Sequence, residues 1–466
     1  MSMLSDYLIV LLAAGWLVNL VLLAGWIVMQ KREPVATLSW VLALATLPVV
    51  GFVLYWLFGP ERIKRQRLRR ARSRAAVDTP LQRDSEDVAA SGVAKLAAQV
   101  TGYLPSTCTH VQLLVDSDKF EALLAAVCAA RHHVHLEYYI FEPDATGRMV
   151  RDALIERARA GVKVRLLLDA FGGHRLSRRF LKPMRAAGIQ IGWFHPLRLR
   201  RIPKLSMNLR THRKLVVVDG QLAFAGGINI CDESNRRHSA GAFHDLHVRL
   251  EGRIAHWLQL AFLEDWHYAT GVALRDEALW PSLPAGEISA QVLPSGPDSP
   301  WRPIERVFVA AIHSASERVW LVTPYFVPTE PALLAVTAAA QRGLDVRLLV
   351  PRCSDSWLVT QAARSYFDEL QAAGVRIFEY RAPMLHSKAL LVDRGLCLVG
   401  SANFDQRSFA LNFELAVLFR DEGVCTHLQR QIEADLAQSD PVPAPRRTPL
   451  PMRLAEASAR LLSPLL

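Results

Sequence analysis

Two membrane-crossing helices followed by two tandem α/β units that share one reaction site: this is the architecture the sequence predicts. Three observations carry it. Two long apolar runs open the chain, over 7–29 and 35–58. Short β-branched runs and helical stretches then recur in the same order at nearly constant offsets. A His-x-Lys-x4-Asp pattern also occurs twice, 174 residues apart, once in each recurrence.

The first run, Tyr7 to Met29, is broken only by Asn19, and the second extends from Val35 to Phe58. Each is long enough to cross the ~30 Å of hydrocarbon in a bilayer as a helix. The connector Gln30-Lys31-Arg32-Glu33-Pro34 is short, so residues 1–60 read as a hairpin. A cleaved signal peptide fits less well, because no basic segment precedes the first run and a second full span follows it at once. After the hairpin, residues 62–74 hold eight basic residues against two in the connector. The positive-inside rule then puts everything beyond residue 60 in the cytoplasm of a bacterial inner membrane, as a multi-pass protein. The same basic run could also meet anionic lipid headgroups.

Residues 61–95 are expected to be a basic juxtamembrane linker, 96–290 and 291–440 the two α/β domains, and 441–466 a Pro-rich segment with an amphipathic helix. The repeat is visible in three places. Val134-His-Leu-Glu-Tyr-Tyr-Ile-Phe141 matches Val319-Trp-Leu-Val-Thr-Pro-Tyr-Phe326, Gly161 to Asp169 matches Gly343 to Pro351, and Ala187 to Ile191 matches Ala373 to Ile377. Alternating strand and helix patterns of this kind predict a mainly parallel or mixed sheet flanked by helices in each half, related by a pseudo-twofold. A content of 51% hydrophobic and 21% charged residues excludes a disordered chain. The formal charge of +11 favours an anionic partner, and six scattered cysteines without a CxxC pair argue against a zinc ribbon or disulfide framework.

The chemistry is concentrated in His212-Arg-Lys214-Leu-Val-Val-Val-Asp219 and His386-Ser-Lys388-Ala-Leu-Leu-Val-Asp393. His and Lys at i and i+2 of a strand share a face, and an Asp at i+7 has the opposite parity. Asp219 and Asp393, each followed closely by Gly, therefore read as turn carboxylates. The chain uses 46 Arg and only 9 Lys, yet both motifs carry Lys, which favours a compact ammonium aimed at phosphate oxygens. Gly226-Gly227-Ile-Asn229 and Gly400-Ser401-Ala-Asn403 follow each motif, where small residues allow close approach and Asn can donate to a phosphoryl oxygen. Asp245 and Glu414 lie 33 and 28 residues beyond the His of their own half and are candidates to fix its tautomer. No carboxylates cluster as a two-metal site requires. The basic and aliphatic segment 198–210, directly before His212, is a candidate membrane-dipping lip.

These paired motifs, with Gly400-Ser-Ala-Asn-Phe-Asp-Gln-Arg-Ser408 and Leu411-Asn-Phe-Glu414, resemble those of the phospholipase D superfamily. Together with the hairpin, Thr323-Pro-Tyr-Phe-Val-Pro328, Asp265-Trp266 and Ser295-Gly-Pro-Asp298, they are most similar to bacterial cardiolipin synthases of the two-span type, over about residues 7–430. Asp169-Ala-Phe-Gly-Gly173 departs from the expected Gly-Ser, which bears on a substrate contact there. The resemblance implies two phospholipase D-like domains and metal- and cofactor-free phosphodiester exchange through a phosphohistidine. It counts His212, Lys214, Asp219, His386, Lys388 and Asp393 as catalytic, with Asn229, Asn403, Gly227 and Ser401 at the substrate and Asp245 and Glu414 as supporting acids. His212 is the implied nucleophile. Phosphatidylglycerol in an anionic membrane is the implied partner, and the membrane hairpin weighs against nucleic acid. Hydrolysis by water, or transfer to another alcohol, uses the same residues and stays open at this level, as does the oligomeric state.

Overall fold

The computed structural model describes residues 92–195 and 210–463, the helix Glu61–Ala76 with side chains from 69 onward, Val77 and 79–81, and parts of the first 60. The expected spans over 7–29 and 35–58 lie largely outside the described residues, as do 82–91 of the linker, 198–209 of the lip and 464–466. Among the described residues no helix is long and apolar enough to cross a membrane. The larger of the chain's two compact units, Gln66–Arg198 with Ser206–Leu466, holds both halves of the repeat.

Each half is built on a mixed sheet. The first has the order His110–Val115, Leu246–Glu251, Leu222–Gly226, Lys214–Val218, His133–Tyr138, Lys163–Asp169, Gln190–Phe194. The second runs Ser106–Cys108, Ile288–Ser295, Glu414–Arg420, Leu396–Gly400, Ala389–Val392, Arg318–Val322, Asp345–Pro351, Arg376–Tyr380, Ser439–Pro441. Within these two sheets only the last three strands of the first, and their counterparts from Arg318 to Tyr380, are parallel, and the other described neighbours pair antiparallel. The sheets are thus mixed rather than mainly parallel. Helices connect the parallel neighbours, Ala145–Arg159 and Arg178–Ala186 in the first half and Glu330–Gln341, Trp357–Arg364 and Phe367–Ala372 in the second, whereas tight turns at Asp219-Gly220 and Asp393-Arg394-Gly395 force antiparallel hairpins.

The motif strands read as unbroken apolar runs because both faces are covered. Leu215 and Val217 face a core shared with Trp320, Val322, Leu391 and Val399 of the other half, whereas Val216 and Val218 face the first half's own core. The helix Ile254–Thr270 is buried almost all round within the shared core, which explains why its sequence is apolar on every side. The cut expected at 290/291 falls inside the strand Ile288–Ser295, which belongs wholly to the second sheet, and the cut at 95/96 falls inside the helix Gly92–Thr101. Ala97 of that helix packs in the second half's core. At the C-terminus the helix Leu450–Leu461 is held by Arg446, whose guanidinium pairs with Glu456 at 2.5 Å.

The basic run 62–74 is not wholly solvated. Arg70 is 1% exposed, with Asp265 at 2.5 Å, Glu264 at 3.3 Å and Asp298 at 3.6 Å from its guanidinium. Arg69 donates to the Tyr268 carbonyl at 2.8 Å, near the end of Ile254–Thr270. Asp265 in turn binds Arg213, the middle residue of the first motif, so the linker helix is joined through two guanidiniums to the segment that carries His212, just ahead of the strand Lys214–Val218. Removing one partner of a buried ion pair strands the others without compensation. Arg70→Ala should therefore lower stability by about 3 kcal/mol, while Arg72→Ala, on the exposed side of the same helix, should change it by less than ~0.5 kcal/mol. Thermal midpoints in detergent measure both.

Candidate active site

The two motif strands reach one cavity of about 760 Å³, lined from the first half by Tyr139, His212 and Asn229 and from the second by Tyr325, His386 and Asn403. Two short parallel bridges close the halves around it. Thr211 lies opposite Phe413, with the His212 N–H donating to the Phe413 carbonyl at 2.8 Å. His244 lies opposite Leu385, with the His386 N–H donating to the His244 carbonyl at 2.7 Å.

These bridges set an arrangement that differs from the expected one. Each histidine is held by the acid of the other half. His212 Nδ1 is 2.9 and 3.0 Å from the two oxygens of Glu414, and His386 Nδ1 is 2.6 Å from Asp245 Oδ2. Pairing within a half fails because each acid starts or precedes a strand that faces the opposite motif across the seam. With Nδ1–H given to a carboxylate, the Nε2 lone pair of each ring is left free to react. Burial pushes His212 down to about 4, against the opposing pull of Glu414. It also lowers His386, where Lys388 adds to the effect and Asp245 opposes it. Both rings are neutral near pH 7 in the unliganded site. Tyr139 meets the His212 ring edge-on at 5.1 Å.

The lysines are buried beside them. Lys214 donates to the His212 carbonyl at 2.7 Å; Lys388 donates to the His386 carbonyl and lies 2.8 Å from its Nδ1. Burial pushes Lys214 down to about 7 and Lys388 to about 8, partly offset by Glu414 and Asp245. An incoming phosphodiester anion would restore the full ammonium charge on both. Asn229 accepts from the Ile140 N–H at 3.4 Å through its Oδ1, which leaves its amide N–H groups for the cavity. Its loop is pinned by the buried Lys119, which donates to the Ile228 and Asn229 carbonyls at 2.8 and 3.2 Å.

The two lysines and the two acids stand behind the lining, in contact with the histidines that form it, and two further pairs of expected site residues sit elsewhere. Gly227 and Ser401 do not line the cavity: a Cβ at Gly227 would lie 2.2 Å from Asp245 Oδ1, and the Ser401 hydroxyl donates to Glu414 Oε2. They make room for, or bind, the acids rather than a substrate. Asp219 and Asp393 also stand apart from the cavity, as strand parity requires. Asp219 accepts from the N–H groups of Arg131, His132 and His133 at 2.8–2.9 Å, and Asp393 from those of Ser316, Glu317 and Arg318. Both have φ of 52° in turns, so they tie each hairpin to the start of the neighbouring strand, and the expectation that they act in the chemistry is corrected by this placement.

Other residues at the site carried weaker sequence signals. Asn412, within the quoted Leu411-Asn-Phe-Glu414, donates to Glu414 Oε1 at 3.2 Å and lines the cavity. Asp169, at the point where the sequence departs from its family, accepts from the N–H groups of Phe171, Gly172 and Thr211 at 2.9–3.1 Å. It fixes the residue before His212. Arg210, the one described residue of the expected lip, lies over the Phe171 ring at 3.7 Å and lines the cavity.

Comparison with known proteins follows the same outline. A family model described as cardiolipin synthase, PLD-like domain, matches residues 123–266 and 308–436, and one described as phospholipase D-nuclease N-terminal matches 17–60. A cardiolipin synthase of Alkalihalophilus pseudofirmus is 36% identical, with 99% of this chain and 95% of that protein covered. One of Geobacillus kaustophilus is 37% identical, with 96% and 92% covered. Among solved structures, the phosphatidylserine synthase of Haemophilus influenzae shares the fold, with a TM-score of 0.61 at 13% identity over 80% of this chain and all of that one. Matched twice by the domain model and aligned almost end to end with curated relatives, this chain belongs to the cardiolipin synthase family with PLD-like domains.

Proposed function

We propose that the protein is a cardiolipin synthase that moves a phosphatidyl group from one phosphatidylglycerol to the hydroxyl of a second, releasing glycerol. The observation that supports it most is the pair of crossed histidine–carboxylate contacts in a single cavity. In the first step His212 Nε2 attacks phosphorus while His386, protonated at Nε2 once the substrate's negative charge is present, gives its proton to the leaving glycerol oxygen. The P–O bond to glycerol breaks and a P–N bond to His212 forms. In the second step neutral His386 takes the proton from the incoming hydroxyl, its oxygen attacks phosphorus, and the P–N bond breaks. Lys214, Lys388, Asn229 and Asn403 supply donors to the equatorial oxygens. Asp219 and Asp393 hold the hairpins.

The apolar runs 7–29 and 35–58 are the proposed membrane anchor, with the PLD-like domains on the cytoplasmic side. Their hydropathy, the eight basic residues that follow, and the N-terminal family match over 17–60 support that topology. Thin-layer chromatography after incubation with phosphatidylglycerol vesicles tests the reaction: cardiolipin and glycerol in equal amounts are expected, and phosphatidic acid without cardiolipin would make water the acceptor.

The lysine sites yield a separate test. Each ammonium sits within hydrogen-bond reach of its own strand backbone, in a space with 3% or less of the residue exposed. A guanidinium is planar and longer, so it crowds the phosphate position even though its charge is the same. Lys214→Arg and Lys388→Arg should each lower turnover by about 10²-fold. Near-normal rates in both would refute the need for a compact cation.

A further inference from the structure

The two bridges that close the halves are equivalent in backbone and unlike in chemistry. At one, the residue before the supporting acid is Phe413, whose ring packs against Phe194 at 5.0 Å and Tyr268 at 6.0 Å. At the other, the same position is His244, 4% exposed, with Nδ1 3.0 Å from both oxygens of Asp116 and Nε2 2.8 Å from Asp435 Oδ1. Asp116 belongs to the first half and Asp435 to the second. An imidazole whose two nitrogens both face carboxylate oxygens can donate at both ends only when it carries both protons. We infer that His244 is a charged positioning residue for His386, an imidazolium that joins a carboxylate of each half where the other seam has a phenyl ring, and thereby makes the two reactive histidines unequal.

The connection to His386 is short. Asp116 Oδ1 also accepts from the Asp245 N–H at 2.8 Å, and Asp245 Oδ2 holds His386 Nδ1 at 2.6 Å. The His244 backbone itself binds both sides of His386, donating to the Met384 carbonyl at 2.9 Å and accepting from the His386 N–H at 2.7 Å. Besides the two carboxylates, the groups that face the ring are few. Arg236 lies with Nη2 3.4 Å from His244 Nδ1 and Nε 2.9 Å from Asp116, the Tyr380 ring is stacked at 5.3 Å, and Gln431 donates to Asp435 at 2.8 Å. Burial opposes the charge; the two carboxylates prevail and raise His244 to about 9. A histidine raised in this way contributes fully below its unfolded value of about 6.5 and loses the contribution as pH rises through about 9. A filler role needs none of this, since the equivalent position at the other seam is filled by the uncharged phenyl ring of Phe413, and the charge that crosses there is the permanent one of Arg213, on the Glu414 and Ser295 carbonyls at 3.1 and 3.3 Å.

The inference rests on the reading of His386 as the proton carrier, so rate is measured as glycerol released from phosphatidylglycerol, whichever acceptor follows. His244→Gln should lower kcat about tenfold with KM within twofold, while the melting temperature falls only modestly. Asp435→Asn keeps the shape of the seam and removes one anion, so the alkaline limb of kcat should move down by about one pH unit. An NMR titration of ring-labelled histidine, with the His244 signal assigned by its loss in His244→Gln, should give a midpoint near 9 in the intact protein. Wild-type kcat and KM in His244→Gln would overturn the positioning role. A midpoint at or below 6.5 would overturn the charge even if the protein released no glycerol at all, which separates this inference from the assignment of the reaction.

Discussion

His212→Ala and His386→Ala should each reduce phosphatidyl transfer by about 10⁴-fold or more, and the double variant should be little worse than either alone. The reason is that the halves contribute one histidine each to a single cavity, and the roles proposed for them cannot be exchanged. Without a nucleophile at 212 no P–N bond forms. Without a ring at 386 the glycerol oxygen must leave as an alkoxide. Both variants should fold, because each histidine lines the cavity rather than a packed core. The check is glycerol release and cardiolipin formation at saturating lipid, with thermal midpoints measured alongside. About half of the activity kept in either single variant would indicate two independent sites, one per half, which the shared cavity contradicts.

The second large effect follows from the crossed pairing. Glu414→Gln and Asp245→Asn keep the size of each acid and remove its charge, and each should cost about 10²- to 10⁴-fold in kcat, as expected when the carboxylate that fixes a catalytic histidine's tautomer is neutralised. The more telling result is which pairs couple. In double-mutant cycles, His212 should couple to Glu414 and His386 to Asp245, by about 1 kcal/mol or more, measured on the binding of a non-reacting phosphodiester. His212 with Asp245, and His386 with Glu414, should be close to additive. Pairing by halves would produce the reverse pattern.

The crossing also shows where a linear reading stops. Spacing alone singled out the histidines, the lysines and both acids, and the structure brings them together as His212 with Lys214 and Glu414, and His386 with Lys388 and Asp245. Strand parity placed Asp219 and Asp393 away from the chemistry, and the turns bear out that geometry. Which half supplies the acid is a property of the seam, set by Thr211 against Phe413 and His244 against Leu385, and nothing within either repeat records it. Gly227 looked like a place for a ligand to approach, since a missing side chain marks close contact without naming the neighbour; that neighbour is the Asp245 carboxylate. Arg70 was illegible for a similar reason. A basic run after an apolar one reads the same whether it meets lipid or protein, and the acids that bury Arg70 lie more than 190 residues away.

The departure at Asp169-Ala-Phe-Gly-Gly173 resolves differently. The sequence marked a doubtful substrate contact, and the carboxylate turns out to organise its own loop and the residue ahead of His212. These hydrogen bonds run to backbone N–H groups, so at Phe171 and Thr211 they do not depend on the side chain, whereas a Cβ at Gly172 would lie 2.0 Å from the Tyr139 carbonyl oxygen.

The central claim is that one histidine of a composite site carries the phosphatidyl group between two lipids while the other moves the proton. Quenching the enzyme during turnover with phosphatidylglycerol labelled in the phosphorus and mapping the modified peptide tests it most directly. The account predicts a phosphatidyl adduct on His212, lost when His212→Ala is used and accumulating when the proton-transfer residue His386 is replaced by a weaker base. An adduct on His386 would reverse the two roles, and transfer that proceeds with no adduct on either ring would contradict the covalent route.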